Sequence, residues 1–230
     1  MSKAQLQAIR SVSLTPPTAP GVPPSSPTVF IVDDDKMVRR SLARLVRAAG
    51  YPVETFPSPR DLMNQLGADQ PSGCILLDLL MPELDGLQAQ QAFSKDGLNL
   101  PVIFLSGHGD VSSSVQAMKA GAIDFLVKPP DARDLFLAID RAIEQDRASR
   151  SEREETAILR ARYESLTPRE REVCIWVATG SLNKQIADRL GTSEKTVKVH
   201  RGQVMHKFGI RSVAELVRIV DRLGLRAPAD

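Results

Sequence analysis

Apolar residues along this chain fall into two regimes. From Thr28 onward, short runs rich in β-branched residues alternate with stretches in which apolar positions recur at helical spacing. Val29-Phe30-Ile31-Val32 is the first run. It is apolar on every position, as a strand covered on both faces requires. Val38, Leu42, Leu45 and Val46 then mark one face of a helix closed by Gly50. The alternation predicts strands over 53–56, 73–79, 101–106 and 124–127, and helices over 59–66, 84–94, 111–120 and 132–145. Five strands alternating with five helices specify a parallel sheet wrapped by helices on both faces. Beyond about residue 165 the pattern is helical throughout. Thr167-Pro168-Arg169-Glu170 reads as a capping box with proline at the first helical position. Asn183 and Ser193 are the expected N-caps of a short helix ending at Gly191 and of a longer one reaching Lys207, and Ser212 with Glu215 forms another capping box. A tight turn at Gly191 between the middle two of four helices outlines a helix-turn-helix.

Four segments follow from this pattern. Residues 1–27 form a tail: six prolines with interspersed serine and threonine over 11–27 cannot bury a core. Residues 28–145 form the α/β domain. Residues 146–164, charged and free of Gly and Pro, extend the fifth helix or form a helical linker. Residues 165–230 form the all-α domain.

Charge sharpens the division. The net charge of +2 conceals 11 basic against 16 acidic side chains over 28–145, and 12 basic against 7 acidic over 166–230. Cations suit the first half and a polyanion the second. No stretch reaches the roughly 18–20 apolar residues of a membrane span. The N-terminus, with Lys3 and Arg10, lacks the apolar core of a signal peptide. Two cysteines, Cys74 and Cys174, both in apolar runs, read as reduced core thiols of a cytoplasmic protein.

Candidate chemistry concentrates at the carboxyl ends of the predicted strands. Asp33 and Asp34 follow the first strand, Asp78 ends the third, Ser106 the fourth and Lys128 the fifth. In an open parallel sheet these ends converge on one crevice. Crowded carboxylates repel unless a cation joins them, and hard oxygen donors suit Mg²⁺. A metal there screens an incoming phosphoryl dianion, so a carboxylate can attack phosphorus and form an acyl phosphate. Lys128 supplies a point charge and Ser106 a hydroxyl for the phosphoryl oxygens.

The segments VDDD, DLLMPELDG around Asp78, Ser106-Gly107, Phe125 and Lys128-Pro129 resemble the receiver domain of two-component response regulators. LTPRERE, Gly180, NKQIA, LGTSEKTVKVHR and KFGIRS resemble the LuxR-type helix-turn-helix, and 28–227 as a whole resembles the FixJ/NarL subfamily. The resemblance implies a flavodoxin-like five-stranded receiver followed by a four-helix DNA-binding domain. It implies Asp78 as the phosphoacceptor. Asp33, Asp34, Asp78 and the backbone carbonyl of Leu80 would hold Mg²⁺. Ser106 and Phe125 would form the switch pair, with a cis Lys128-Pro129 peptide. In the helix spanning 193–208 it places Lys198 and Val199 at bases and Thr196 near phosphates. Lys184, Ser193, Lys195, Arg201 and Lys207 complete the expected DNA-binding set. The implied partners are a sensor histidine kinase, double-stranded promoter DNA and a second copy upon phosphorylation, with RNA polymerase as a further one that the family admits. The expected function is a transcriptional regulator and not an enzyme. Two alternatives remain: a receiver-fold transcription factor independent of phosphorylation, and a Mg²⁺-dependent phosphohydrolase. Gly202 departs from the family, where a larger polar or basic side chain usually faces the groove, and is expected to permit a close backbone approach to DNA. Leu80 and His108, near the site, are expected to bear on the lifetime of the phosphoryl group.

Overall fold

A computed structural model describes residues 26–66, 71–82, 85–107 and 111–226. The proline-rich tail over 1–25 and His108 lie outside them. The chain divides at Asp146–Arg147 into two units.

The first unit holds strands β1 (Thr28–Val32), β2 (Val53–Phe56), β3 (Gly73–Asp78), β4 (Val102–Ser106) and β5 (Asp124–Val127). Between them lie α1 (Lys36–Ala48), α2 (Pro59–Leu66), α3 (Gly86–Lys95) and α4 (Val111–Lys119), with α5 (Ala132–Glu164) following. All pairings are parallel, in the order β2-β1-β3-β4-β5. Because successive strand residues face opposite sides, the apolar runs build two cores. Phe30, Val32, Ile75, Leu77 and Phe104 pack with Leu62, Leu66, Ala89, Phe93 and Ala117 of α2, α3 and α4. Val29, Ile31, Leu76, Ile103 and Leu105 pack with Leu42, Ala43 and Val46 of α1 and Leu135, Ala138 and Ile139 of α5. Each fully buried aliphatic or aromatic side chain contributes roughly 1.5–3 kcal/mol relative to exposure, which fixes the sheet and hence the strand ends. The β1–β3 contact is close: a Cβ on Gly73 would lie 1.8 Å from the Thr28 carbonyl oxygen, so only glycine fits. Asp146, fully buried near the end of the unit, accepts hydrogen bonds from Ser72 Oγ (2.8 Å) and Gly73 N (3.0 Å) and ties α5 to the start of β3.

The second unit contains α6 (Pro168–Ala178), α7 (Asn183–Leu190), α8 (Glu194–Phe208) and α9 (Val213–Arg222) around one core. The α6 capping box forms as the pattern predicts: Thr167 Oγ1 accepts from Glu170 N, and Glu170 Oε2 accepts from Thr167 N. Ser193 caps α8, and Gly209 closes it in the left-handed conformation. Asn183 does not cap α7. It is the first helical residue, Leu182 occupies the N-cap position, and Gln185 Oε1 accepts from Leu182 N at 2.8 Å. Residues 146–164, expected as an extension of the fifth helix or a helical linker, continue α5 without a break, and 147–164 pack on this unit. Leu159 and Tyr163 sit against its core. Arg162 Nη1 donates to the Phe208 carbonyl at 2.7 Å. Arg222 on α9 donates to Glu155, Thr156 and the Glu152 carbonyl. Among the described residues, no helix is long and apolar enough to cross a membrane.

Candidate phosphoacceptor site and nucleic-acid interface

The register of the parallel sheet delivers the acidic residues to one edge. Asp33 follows β1 directly and is fully buried; Asp78 is the last residue of β3 and 5% exposed. One oxygen from each of Asp33, Asp34 and Asp78 lies within 4.8 Å of the others. Lys128, just past β5, reaches between two of these carboxylates. Its Nζ is 2.6 Å from Asp33 Oδ2 and 2.8 Å from Asp78 Oδ2. The Lys128-Pro129 peptide is cis, and Lys128 N donates to the Ser106 carbonyl at 2.7 Å.

Burial pushes the Asp78 carboxyl above its ordinary value. Lys128 opposes the shift by hydrogen bond and charge, the Asp33 charge reinforces it, and the Leu80 N–H opposes it. Burial alone would lower the Lys128 ammonium, yet the hydrogen bonds and charges of Asp33 and Asp78 outweigh it and raise the group above its ordinary value. One ammonium thus shares two of three carboxylates, which leaves a net negative set of hard oxygen donors. That donor chemistry fits Mg²⁺.

Two close approaches frame the loop after β3. Gly86 N donates to the Leu79 carbonyl at 2.9 Å. A Cβ on Gly86 would stand 2.7 Å from the Asp78 carbonyl oxygen and 2.9 Å from the Phe104 ring. Arg39 Nη1 donates to the carbonyls of Asp33 (2.5 Å) and Asp34 (2.9 Å), fixing the loop after β1. Ser106 is buried at the end of β4. The β4–β5 register pairs Phe104 with Phe125 and Ser106 with Val127, so Ser106 and Phe125 share one face of the sheet. Leu80 is 61% exposed beside the site.

In the second unit, Val197, Val204 and Phe208 face the core. Lys195, Lys198 and Val199 are exposed on the same helix, and Thr196 and Arg201 are half-buried. Thr196 Oγ1 lies 2.9 Å from Ser193 Oγ, and Arg201 Nη1 donates to Asn183 Oδ1 at 3.3 Å. Lys184 is exposed on α7. Lys207, expected among the DNA contacts, is half-buried and has partners within the domain. Its Nζ donates to Glu170 Oε2 (2.6 Å) and the Ser165 carbonyl (3.1 Å), and so completes the α6 capping network. A buried carboxylate without a partner is costly, and Lys207 is that partner. Gly202 is exposed, and a Cβ there would meet nothing within 4 Å, so nothing inside the domain requires a glycine.

Comparison with known proteins decides the family. Residues 29–140 match the response regulator receiver domain, and 164–220 match the bacterial regulatory proteins of the luxR family. Nodulation protein W of Bradyrhizobium diazoefficiens is 43% identical over 86% of this chain and 87% of its own length. The chain is a response regulator. The response regulator protein TmoT of Ectopseudomonas mendocina is 44% identical over 85% of this chain and 88% of its own length. The solved structure of the response regulator StyR matches at a TM-score of 0.71 and 41% identity, covering 86% of this chain and all of StyR. This response regulator is accordingly a transcription regulator that joins a receiver to a LuxR-type DNA-binding domain; its relatives are regulators and not enzymes. Receiver domains generally bind Mg²⁺ at an acidic site, and this chain has an acidic cluster in Asp33, Asp34 and Asp78.

Proposed function

We propose that this response regulator accepts a phosphoryl group on Asp78 from a sensor histidine kinase and, so modified, pairs with a second copy and binds promoter DNA through α8. The observation that carries this reading is the Lys128 ammonium held against both Asp33 and Asp78, with Asp34 completing the acidic set. Asp33, Asp34 and Asp78, with the Leu80 backbone carbonyl, would hold Mg²⁺. When bound, the ion screens the charge of the phosphoryl dianion. An Asp78 carboxylate oxygen attacks phosphorus; an O–P bond forms as the P–N bond to the donor imidazole breaks, and the leaving nitrogen keeps the electron pair. Lys128 neutralises charge on the phosphoryl oxygens. The Ser106 hydroxyl donates to one of them, and the space it vacates admits the Phe125 ring on the same face of the sheet. A local change thereby biases a two-state element.

In the DNA-binding unit, α8 enters the major groove. Lys198 and Val199 reach bases, while Lys195, Thr196, Arg201, Ser193 and Lys184 lie along the phosphates, with Lys207, held on Glu170, at the far end of the helix. The domain limits follow the same reading: a receiver over 28–145 and a DNA-binding domain from 165, with 146–164 helical between them. The protein works in the cytoplasm, with RNA polymerase as a further partner.

The test is DNA affinity measured with and without acetyl phosphate and Mg²⁺, in the wild type and in D78N. The reading requires an affinity that changes on phosphorylation in the wild type and not in D78N. An equal response of both proteins would show that regulation does not pass through Asp78.

A further inference from the structure

The receiver unit is acidic overall, yet its cations are not scattered. Of its 11 basic residues, five line one groove: Lys36, Arg39, Arg40, Arg44 and Arg47, all on α1. The groove has a volume of about 800 Å³. Ala43, Ala48 and Thr55 of the edge strand β2 complete its lining, so no acidic residue contributes. Lys36, Arg40, Arg44 and Arg47 recur at spacings of three and four and project from neighbouring positions on the helix surface. At 1.5 Å per residue they span roughly 16 Å.

Two of the guanidinium groups are held in place. Arg39 is fixed on the Asp33 and Asp34 carbonyls, and Arg47 Nη2 donates to the Val53 carbonyl at 3.1 Å. Among the described residues, no carboxylate pairs with Lys36, Arg40 or Arg44. Five like charges left together in this way repel one another unless a polyanion covers them. The sheet order sets the groove at the β2 edge, opposite the edge that carries β5.

We propose that the α1–β2 groove of the receiver is a second contact surface for the phosphate backbone of duplex DNA. Its lining decides between a nucleic acid and a protein. Protein interfaces are depleted of charge at their centre and anchored by aromatic and other large apolar side chains. This groove holds only alanine and threonine between its cations, whereas protein–DNA interfaces are polar and strongly positive. Arginine, which supplies four of the five cations, matches phosphate oxygens bidentately. DNA is also the polyanion that a LuxR-type regulator meets.

The test uses the full chain and a long duplex of mixed sequence, with binding measured across a series of KCl concentrations. R40A/R44A replaces two exposed arginines by a strong helix former. Circular dichroism and acetyl phosphate labelling serve as checks on folding, and R40Q/R44Q is a second variant with longer side chains. Losing two phosphate contacts makes the plot of log K against log salt shallower by about 2. The wild-type advantage then shrinks roughly tenfold between about 50 and about 200 mM KCl. A slope and affinity equal to the wild type in both variants overturn the proposal. So does unchanged DNA binding with lost binding to poly-L-glutamate, which would assign the groove to an acidic protein. K195A/K198A, on α8, is measured in parallel. If it alone is without effect, the reading of α8 fails while the groove stands.

Discussion

Replacing Lys207 by methionine keeps the apolar stem of the side chain and removes the ammonium that joins Glu170 Oε2 to the Ser165 carbonyl. The Glu170 side chain is 7% exposed and that of Lys207 29%. A charge-assisted hydrogen bond contributes about 1.5–3 kcal/mol, and breaking a fully buried pair costs about 3–5 kcal/mol. Partial exposure of Lys207 places this loss at the lower end, near 2 kcal/mol. Trp176, the only tryptophan in the chain, lies on α6 with the Arg189 guanidinium 4.1 Å from its ring centroid. Its fluorescence therefore follows the DNA-binding unit and not the receiver during urea unfolding. The loss should also depend on pH. The Lys207 hydrogen bond holds the Glu170 carboxyl below its ordinary value of 4.5, against burial and with help from Thr167. A lowered folded-state value gives stability that is fully present above about pH 4.5 and fades as pH falls through the folded-state value. The gap between wild type and K207M should accordingly be widest near neutral pH and narrow in acid. An unchanged urea midpoint for K207M, with a DNA salt slope shallower by about 1, would deny the Glu170 pair this energy and assign Lys207 to the DNA interface alone.

G86A sets a new Cβ 2.7 Å from the Asp78 carbonyl oxygen. Overpacking against backbone should cost about 1–3 kcal/mol and slow acetyl phosphate labelling; wild-type stability and labelling rate would show that the loop is not held this closely. G202A should stabilise α8 by up to about 1 kcal/mol in Trp176-monitored unfolding and weaken DNA binding. Undiminished binding would remove the close-approach role of Gly202. Burial pushes both the Cys74 and Cys174 thiols up to about 12, so neither should react with a thiol reagent in the native protein near neutral pH and both should react after unfolding. Rapid native-state labelling of either would contradict its burial.

The sheet was legible because its strands are buried on both faces. Val29–Val32 and Cys74–Leu77 are apolar without alternation, as parallel strands covered on both faces are, and their shortness and β-branched residues set them apart from helix. Asp33, Asp34, Asp78 and Lys128 followed from the same logic, since parallel strands deliver their carboxyl ends to one edge. Local chemistry was less reliable at helix starts. The third helix, predicted from residue 84, begins at Gly86 because Asp85 and Gln88 form a capping box. At α7, Gln185 rather than Asn183 satisfies the first turn. The contacts that periodicity does not encode join residues far apart in the chain. Lys207 meets Glu170 across 37 positions, and Asp146 meets Gly73 across 73. Lys207 carries the same charge whether it faces a phosphate or a carboxylate, so only packing distinguishes the two. The packing of 147–164 on the DNA-binding unit was hidden for the same reason, because its apolar positions are sparse.

The most direct test of the acceptor role assigned to Asp78 is to incubate the full chain with acetyl phosphate and Mg²⁺, measure phosphoryl incorporation, and map the modified peptide. At most one hydroxylamine-labile phosphoryl group per chain is expected, located on Asp78 and absent from D78N. Labelling that persists in D78N, or many turnovers of the phosphodonor without incorporation, would contradict it.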